Sequence, residues 1–310
     1  MDMKIARVAL SATLVAITLS GCGAAVSAST ATPAAAVTAA PTRTFPVGVR
    51  TLTLDRGADR PLPTTIWYPA GSGRLGQPPV PALPMAPGRF PLVLFSHGLH
   101  SLPEYHVHMA SRWAAAGFVV AAPAYPRTNR RTKHFSRADV RNQPADARLV
   151  IQRIGVLDTR PGDLFAGHLA MDRIAAAGHS AGGYTTAGLF GPDHSARFRA
   201  GVIISGGGMS GSSFGGPPAA LLYVHGDKDP TVPLRRGRAA FDRTPWPKAF
   251  LTLAGQNHGA FLAPGRTGFT ETMAATTDFL RWRLYGDEAA RERLVASVSR
   301  SGRTTLETRL

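Results

Sequence analysis

Ser180 stands in GHSAGG, residues 178–183, at the G-x-S-x-G spacing. A serine hydroxyl is a weak nucleophile at its own pKa, so this spacing points to covalent chemistry only if a base and an orienting acid accompany it. For a serine carried on a strand-to-helix elbow, the partners follow in the chain order serine, acid, histidine. Beyond residue 226 the chain holds a single histidine, His258 in GQNHGAF, which makes it the candidate base. Between Ser180 and His258 there is no glutamate, and the aspartates are Asp193, Asp227, Asp229 and Asp242. Asp227 and Asp229 both follow the apolar run ALLYVHG and stand as the candidate acids. Such a set performs acyl transfer to water, with the histidine as general base and no cofactor.

A second group of histidines, His97, His100, His106 and His108 in FSHGLHSLPEYHVHM (95–109), raises the question of a metal. On a helix His106 and His108 would diverge by about 200°. No carboxylate or thiolate cluster accompanies them, so no metal is expected. Cys22 is the only cysteine, which excludes an intrachain disulfide and any multi-cysteine metal site. The G-x-G-x-x-G match GGGMSG (206–211) is followed by SSFGGPP where a helix would be needed, so it cannot cradle a pyrophosphate.

The elements that must position these residues are legible as a period. After two alternating segments, VGVRTLTLD and TTIWYPA, come short apolar runs at 90–96, 118–125, 173–179, 200–205, 220–226 and 249–255. Helices fit the intervals 104–116, 142–157, 181–190, 234–242 and 270–284. Apolar strands alternating with helices predict an α/β fold, a doubly wound and mostly parallel sheet with helices on both faces. In such sheets reactive groups gather beyond the carboxyl ends of the strands. Ser180, His258 and both candidate aspartates follow directly after predicted strands. The loop after strand 90–96 is where this architecture supplies a backbone donor, so the N–H groups of Leu99 and Ala181 are the expected oxyanion hole. His97 is expected as a hydrogen bonder behind that hole and His100 at the pocket edge. About fourteen residues separate Ser205 from Ala219, too few for a lid domain, so an open site is expected.

Lys4 and Arg7 precede an apolar run, Val8–Leu19, that is short for a membrane span and suited to an export signal. It ends in LSGC, residues 19–22, which resembles the bacterial lipobox and implies lipidation of Cys22 and retention at the cell membrane; the alternative is an ordinary secretory signal and a secreted protein. The segment that follows is rich in Ala, Thr, Ser and Pro and reads as a tether. The expected organisation is a signal peptide over 1–21, lipidated Cys22 and tether over 22–45, a catalytic domain over 46–285, and a C-terminal helix and tail over 286–310. With 310 residues, 44% of them hydrophobic, the chain can bury a full core. Its formal net charge of +16 invites an anionic partner, but no nucleic-acid-binding motif is present and the basic clusters lack aromatic interleaving. No nucleic-acid partner is therefore expected.

The pieces LPTTIWYPA, FPLVLFSHGL, GFVVAAPAY, IAAAGHSAGG, HGDKDPTVP and NHGAF, spread over residues 47–285, together resemble the α/β-hydrolase superfamily. Within it the likeness is to the bacterial branch related to platelet-activating-factor acetylhydrolases, chlorophyllases, dienelactone-hydrolase-like proteins and polyester hydrolases. In that pattern the second acidic position of HGDKDPTVP carries the triad, which favours Asp229 over Asp227. The resemblance implies a serine carboxylic-ester hydrolase of esterase or lipase type with the triad Ser180, Asp229 and His258, acting on lipid or small acyl esters. Dienelactone hydrolases use a cysteine where Ser180 stands, which disfavours that activity. A polyester hydrolase, a peptidase or amidase, and a noncatalytic envelope-binding lipoprotein are the alternatives.

Overall fold

The sheet that organises the molecule has ten strands in the order β10-β9-β8-β7-β6-β4-β5-β2-β1-β3. This computed structural model describes residues 39–298 and 302–310. The signal segment, Cys22 and most of the expected tether lie outside the described residues. The strands are β1 (Val47–Asp55), β2 (Pro61–Pro69), β3 (Val80–Pro81), β4 (Phe90–Ser96), β5 (Val119–Pro123), β6 (Leu169–His179), β7 (Phe198–Ile204), β8 (Ala220–Gly226), β9 (Lys248–Leu253) and β10 (Thr304–Arg309). Between them run α1 (Val107–Ala115), α2 (Gln143–Leu157), α3 (Ala181–Leu189), α4 (Leu234–Arg243), α5 (Phe269–Tyr285) and α6 (Glu288–Val298). The central strands from β5 through β9 are all parallel, while β1–β2, β2–β5 and β9–β10 pair antiparallel. The fold is therefore α/β, doubly wound.

Burial on both faces follows from the pleat. In β4 every residue is buried, with Val93 and Phe95 packed toward Trp113 of α1 and Phe279 of α5, and Leu92 and Leu94 toward Val150 and Ile154 of α2. Residues two apart share a face, so a continuous apolar run serves two cores at once. The helices divide accordingly: α1, α5 and α6 pack with the first core, and α2, α3 and α4 with the second.

The chain leaves β4 to one side to form β5 and returns on the other as β6, so the β4/β6 crevice is the point where strand order reverses. Ser96, the last residue of β4, is registered with Gly178, one residue before the end of β6, so the two strands finish almost level. A ligand crevice in an open α/β sheet belongs there.

Two boundaries differ from the sequence expectation. Where a tail was expected after the C-terminal helix, residues 304–309 form β10, antiparallel to β9. The reason is that β9 would otherwise present an unpaired edge. Arg238 of α4 ties β10 down through Glu307, with its guanidinium 4.0 Å from the Phe250 ring centroid. The folded unit also begins before residue 46: Phe45 is buried against Phe90, its N–H donates to the Ala115 carbonyl at 2.9 Å, and Arg281 donates to the Pro41 carbonyl at 2.9 Å.

The turn joining β1 to β2 is held to α2 by a buried ion cluster. Arg60 makes two hydrogen bonds to Asp139, at 2.8 and 2.9 Å, and two to Asp146, whose Oδ1 also takes Arg56 at 2.8 Å. Both carboxylates are buried. Burial would raise the Asp139 pKa, but its hydrogen bonds from Arg60 and Asn142 outweigh that and hold it below the ordinary value. Arg60→Ala leaves two buried carboxylates short of their main cation and is expected to cost about 3–5 kcal/mol of stability. The urea midpoint at neutral pH measures this, and an unchanged midpoint would refute it.

Candidate active site

Ser180 sits between the last residue of β6 and the first of α3 with φ 58° and ψ −120°. That conformation is strained for a residue with a side chain and persists only where the surroundings enforce it. Here packing enforces it: a Cβ on Gly178 would lie 2.1 Å from the Gly182 carbonyl oxygen, and one on Gly182 only 1.9 Å from that of Ser96. The turn can be this tight only with glycine at both positions.

Ser180 Oγ donates to His258 Nε2 at 2.8 Å, and His258 Nδ1–H donates to Asp229 Oδ2 at 2.8 Å. This pattern leaves the Nε2 lone pair facing the hydroxyl, as a general base requires. The other Asp229 oxygen accepts the N–H groups of Thr231 (2.8 Å) and Val232 (2.9 Å). Burial would raise the Asp229 pKa, but the hydrogen bonds from His258 and these amides outweigh it and hold the carboxyl below its ordinary value. His225, 3.3 Å from Asp229 Oδ2, is pushed below its ordinary pKa by burial and gives its Nε2–H to the Val232 carbonyl at 2.8 Å. Asp227 stands apart from the histidine: its Oδ1 accepts the Gly255 N–H at 2.7 Å and braces the turn after β9. Asn257 Oδ1 shapes the loop carrying His258 by accepting from Gly259 and Ala260.

The segment 97–99 lies against the elbow, with a Cβ on Gly98 reaching to 3.1 Å from Ser180 Cβ. Leu99 N–H makes no backbone hydrogen bond among the described residues, and Ala181 N–H opens α3, where no intrahelical acceptor exists. Leu99 lines the Ser180 cavity, and Ala181 directly follows the serine. His97 lies behind them, donating Nδ1–H to the Gly98 carbonyl at 2.7 Å and accepting the Tyr125 N–H at 3.1 Å on Nε2.

A cavity of about 390 Å³ opens over Ser180, with Leu99, Tyr105, Leu262, Ala263 and Pro264 giving it apolar walls. The Gly/Ser segment 206–217 contributes nothing to it. That segment instead packs Gly206 on Gly183 and Phe214 near Trp246. His100 is not among the residues that wall the cavity, although its chain neighbours Leu99 and Ser101 are. Its backbone is left-handed (φ 52°), its N–H is held by the Thr128 carbonyl, and its exposed ring stacks on Phe135 at 3.9 Å. His106 and His108 both line it, although a continuous helix would have separated them, because a 3-10 turn over Pro103–His106 precedes α1. Among the described residues no three histidine, cysteine, aspartate or glutamate side chains are grouped to hold a metal ion.

His179 is the residue that sequence reasoning overlooked. Its Nε2–H donates to the His258 carbonyl at 2.8 Å, and its ring lies 4.9 Å from that of His258, so it fixes the loop bearing the base. The one signal in the sequence was its place between the glycine and the serine of the elbow.

Three histidines here are kept neutral. Burial pushes His97 and His179 down to about 4 and His106 to about 3. His97, only 1% exposed, is the cleanest case. Its folded pKa lies below the unfolded 6.5, so the unfolded chain binds the extra proton between pH 6.5 and about 4. Stability is therefore full above 6.5 and falls as pH drops through that window, by about 3 kcal/mol for this group. Carboxylates with lowered pKa, such as Asp229 and Asp139, lose their contribution only below their ordinary 3.8. Urea midpoints measured from pH 7 to 4.5 should decline. His97→Gln, which keeps a donor and an acceptor without the titration, should flatten the decline, and an identical slope would refute the assignment.

No protein-family model matches the chain, and no curated protein matches it either.

Proposed function

We propose that the protein is a serine hydrolase of the α/β-hydrolase superfamily that cleaves carboxylic esters, of lipid or small acyl type, and is exported to the cell membrane on a lipidated Cys22. The observation that carries the catalytic reading is the unbroken line of 2.8 Å hydrogen bonds from Ser180 Oγ through His258 to Asp229, set on a strained elbow. A structural serine has no need of that backbone strain, nor of an orienting carboxylate behind its histidine.

In the proposed reaction Oγ attacks the ester carbonyl as His258 Nε2 takes its proton, and Asp229 stabilises the imidazolium that forms. The Leu99 and Ala181 amides hold the negative oxygen of the tetrahedral intermediate. His258 then returns the proton to the departing alcohol, leaving an acyl group on Ser180. Water, deprotonated by the same histidine, releases the acid and restores the serine. The apolar wall of Leu99, Leu262, Ala263 and Pro264 suits an acyl chain.

A fluorophosphonate probe tests this reading directly. It is expected to modify Ser180, located by mass spectrometry of the peptide, and to abolish hydrolysis of a short p-nitrophenyl ester. Absence of both labelling and ester turnover would favour the noncatalytic envelope-binding alternative. Faster turnover of a matched anilide would favour an amidase.

A further inference from the structure

A cation-rich loop, residues 127–137, adjoins one rim of the Ser180 cavity. The loop after β5 closes on itself through the Ser136 N–H and the Arg127 carbonyl (2.8 Å) and is stitched to the segment after β4. The Thr128 carbonyl accepts the His100 N–H at 2.8 Å, and the Ser101 carbonyl accepts the Arg130 N–H at 3.1 Å. Ser101 and Tyr105 in turn line the cavity. Arg127, Arg130, Arg131, Lys133 and Arg137 are all exposed, and among the described residues only Arg131 has an ion-pair partner, Glu104 at 3.3 Å. Two large apolar side chains are exposed on the same rim, Tyr105 (58%) and Phe135 (41%).

Charge alone would describe a solvated face. Exposed aromatic rings among cations that mostly lack ion-pair partners, beside a cavity with apolar walls, suit a different environment, the boundary where headgroup phosphates meet acyl chains. A single-stranded polyanion would be held by bases stacked on open aromatic faces, but one face of Phe135 is already covered by His100. We propose that this rim seats the protein on an anionic lipid surface, with Tyr105 and Phe135 entering the headgroup layer and the mouth of the Ser180 cavity turned toward it. The substrate class this implies, esters of anionic lipids, rests on the ester-hydrolase reading; the docking does not.

The test compares the full chain with the triple variant Arg130→Gln, Lys133→Gln, Arg137→Gln and with Phe135→Ser. Each is sedimented with vesicles of phosphatidylcholine alone or mixed with phosphatidylglycerol. The N-terminal segment is common to all forms, so its contribution cancels in the ratio between the two vesicle types. The full chain should prefer the phosphatidylglycerol vesicles, and the triple variant should lose about a hundredfold of that preference, about fivefold per cation. Phe135→Ser should weaken binding to phosphatidylglycerol vesicles, and salt at about 1 M should abolish the preference. Turnover of a soluble p-nitrophenyl ester should be the same in all forms. An undiminished preference in the triple variant would overturn the docking. Tighter binding of the full chain to heparin or single-stranded RNA than to the vesicles, at equal salt, would also overturn it. Vesicle binding as expected without soluble-ester turnover would sink the hydrolase reading and leave the docking standing.

Discussion

Ser180→Ala is expected to lower kcat for a short p-nitrophenyl ester by about a millionfold, with little change in KM. The substitution removes one hydroxyl, and alanine is as tolerable as serine at the elbow's φ of 58°, so the fold and the cavity persist. What disappears is the hydroxyl that would form the acyl-enzyme in the proposed reaction. Activity that survives should come from the amides of Leu99 and Ala181 acting on water and substrate, about a thousandfold over the uncatalysed rate. Because the three side chains act as one unit, adding His258→Ala to Ser180→Ala should cost little more. Steady-state kinetics on the single and double variants decides the matter. A single variant that kept most of its turnover would place the nucleophile elsewhere.

Asp229→Asn should lower kcat by about ten-thousandfold. The size of the effect follows from what the other carboxylate oxygen does. Asp229 Oδ1 accepts two backbone N–H groups, so an asparagine keeps its carbonyl oxygen there and turns its amide NH₂ toward His258. Nδ1 must then accept, which moves the imidazole proton to Nε2, and Nε2–H cannot take the proton of Ser180. Asp227→Asn is the control, since an amide oxygen can still accept the Gly255 N–H and turnover should hold. If the two variants exchanged behaviour, the acid would be Asp227.

The hydrogen-bonded group of Ser180, His258 and Asp229 is legible because each member sits directly after an apolar run too regular to be anything but a buried strand. Runs such as FPLVLFS and ALLYVHG are buried at every position, and that is what let the helices between them be placed by interval. What escaped was structure without an apolar signal. Strand β10, TTLETR, is polar and half-exposed, with Leu306 its single aliphatic contact with the core, and only the unpaired edge of β9 gives it a reason to form. The left-handed turn that carries the His100 ring to Phe135 has no signal in the neighbouring residues. His179 was overlooked because its work is done on a main-chain oxygen, that of His258, which no residue pattern encodes. Phe45 looked like linker, since an isolated aromatic after a Pro- and Thr-rich stretch carries no period.

The hydroxyl of Ser180 and its base are separated by 78 residues of chain, and between them lie β7, β8 and β9, each of which must join the sheet before the imidazole arrives. Loop-closure entropy makes contacts of that span late ones in any folding reaction. A denatured sample returned to native conditions should therefore regain its far-ultraviolet dichroism before the Ser180–His258 pair forms, and, on the proposed function, before it labels with a fluorophosphonate.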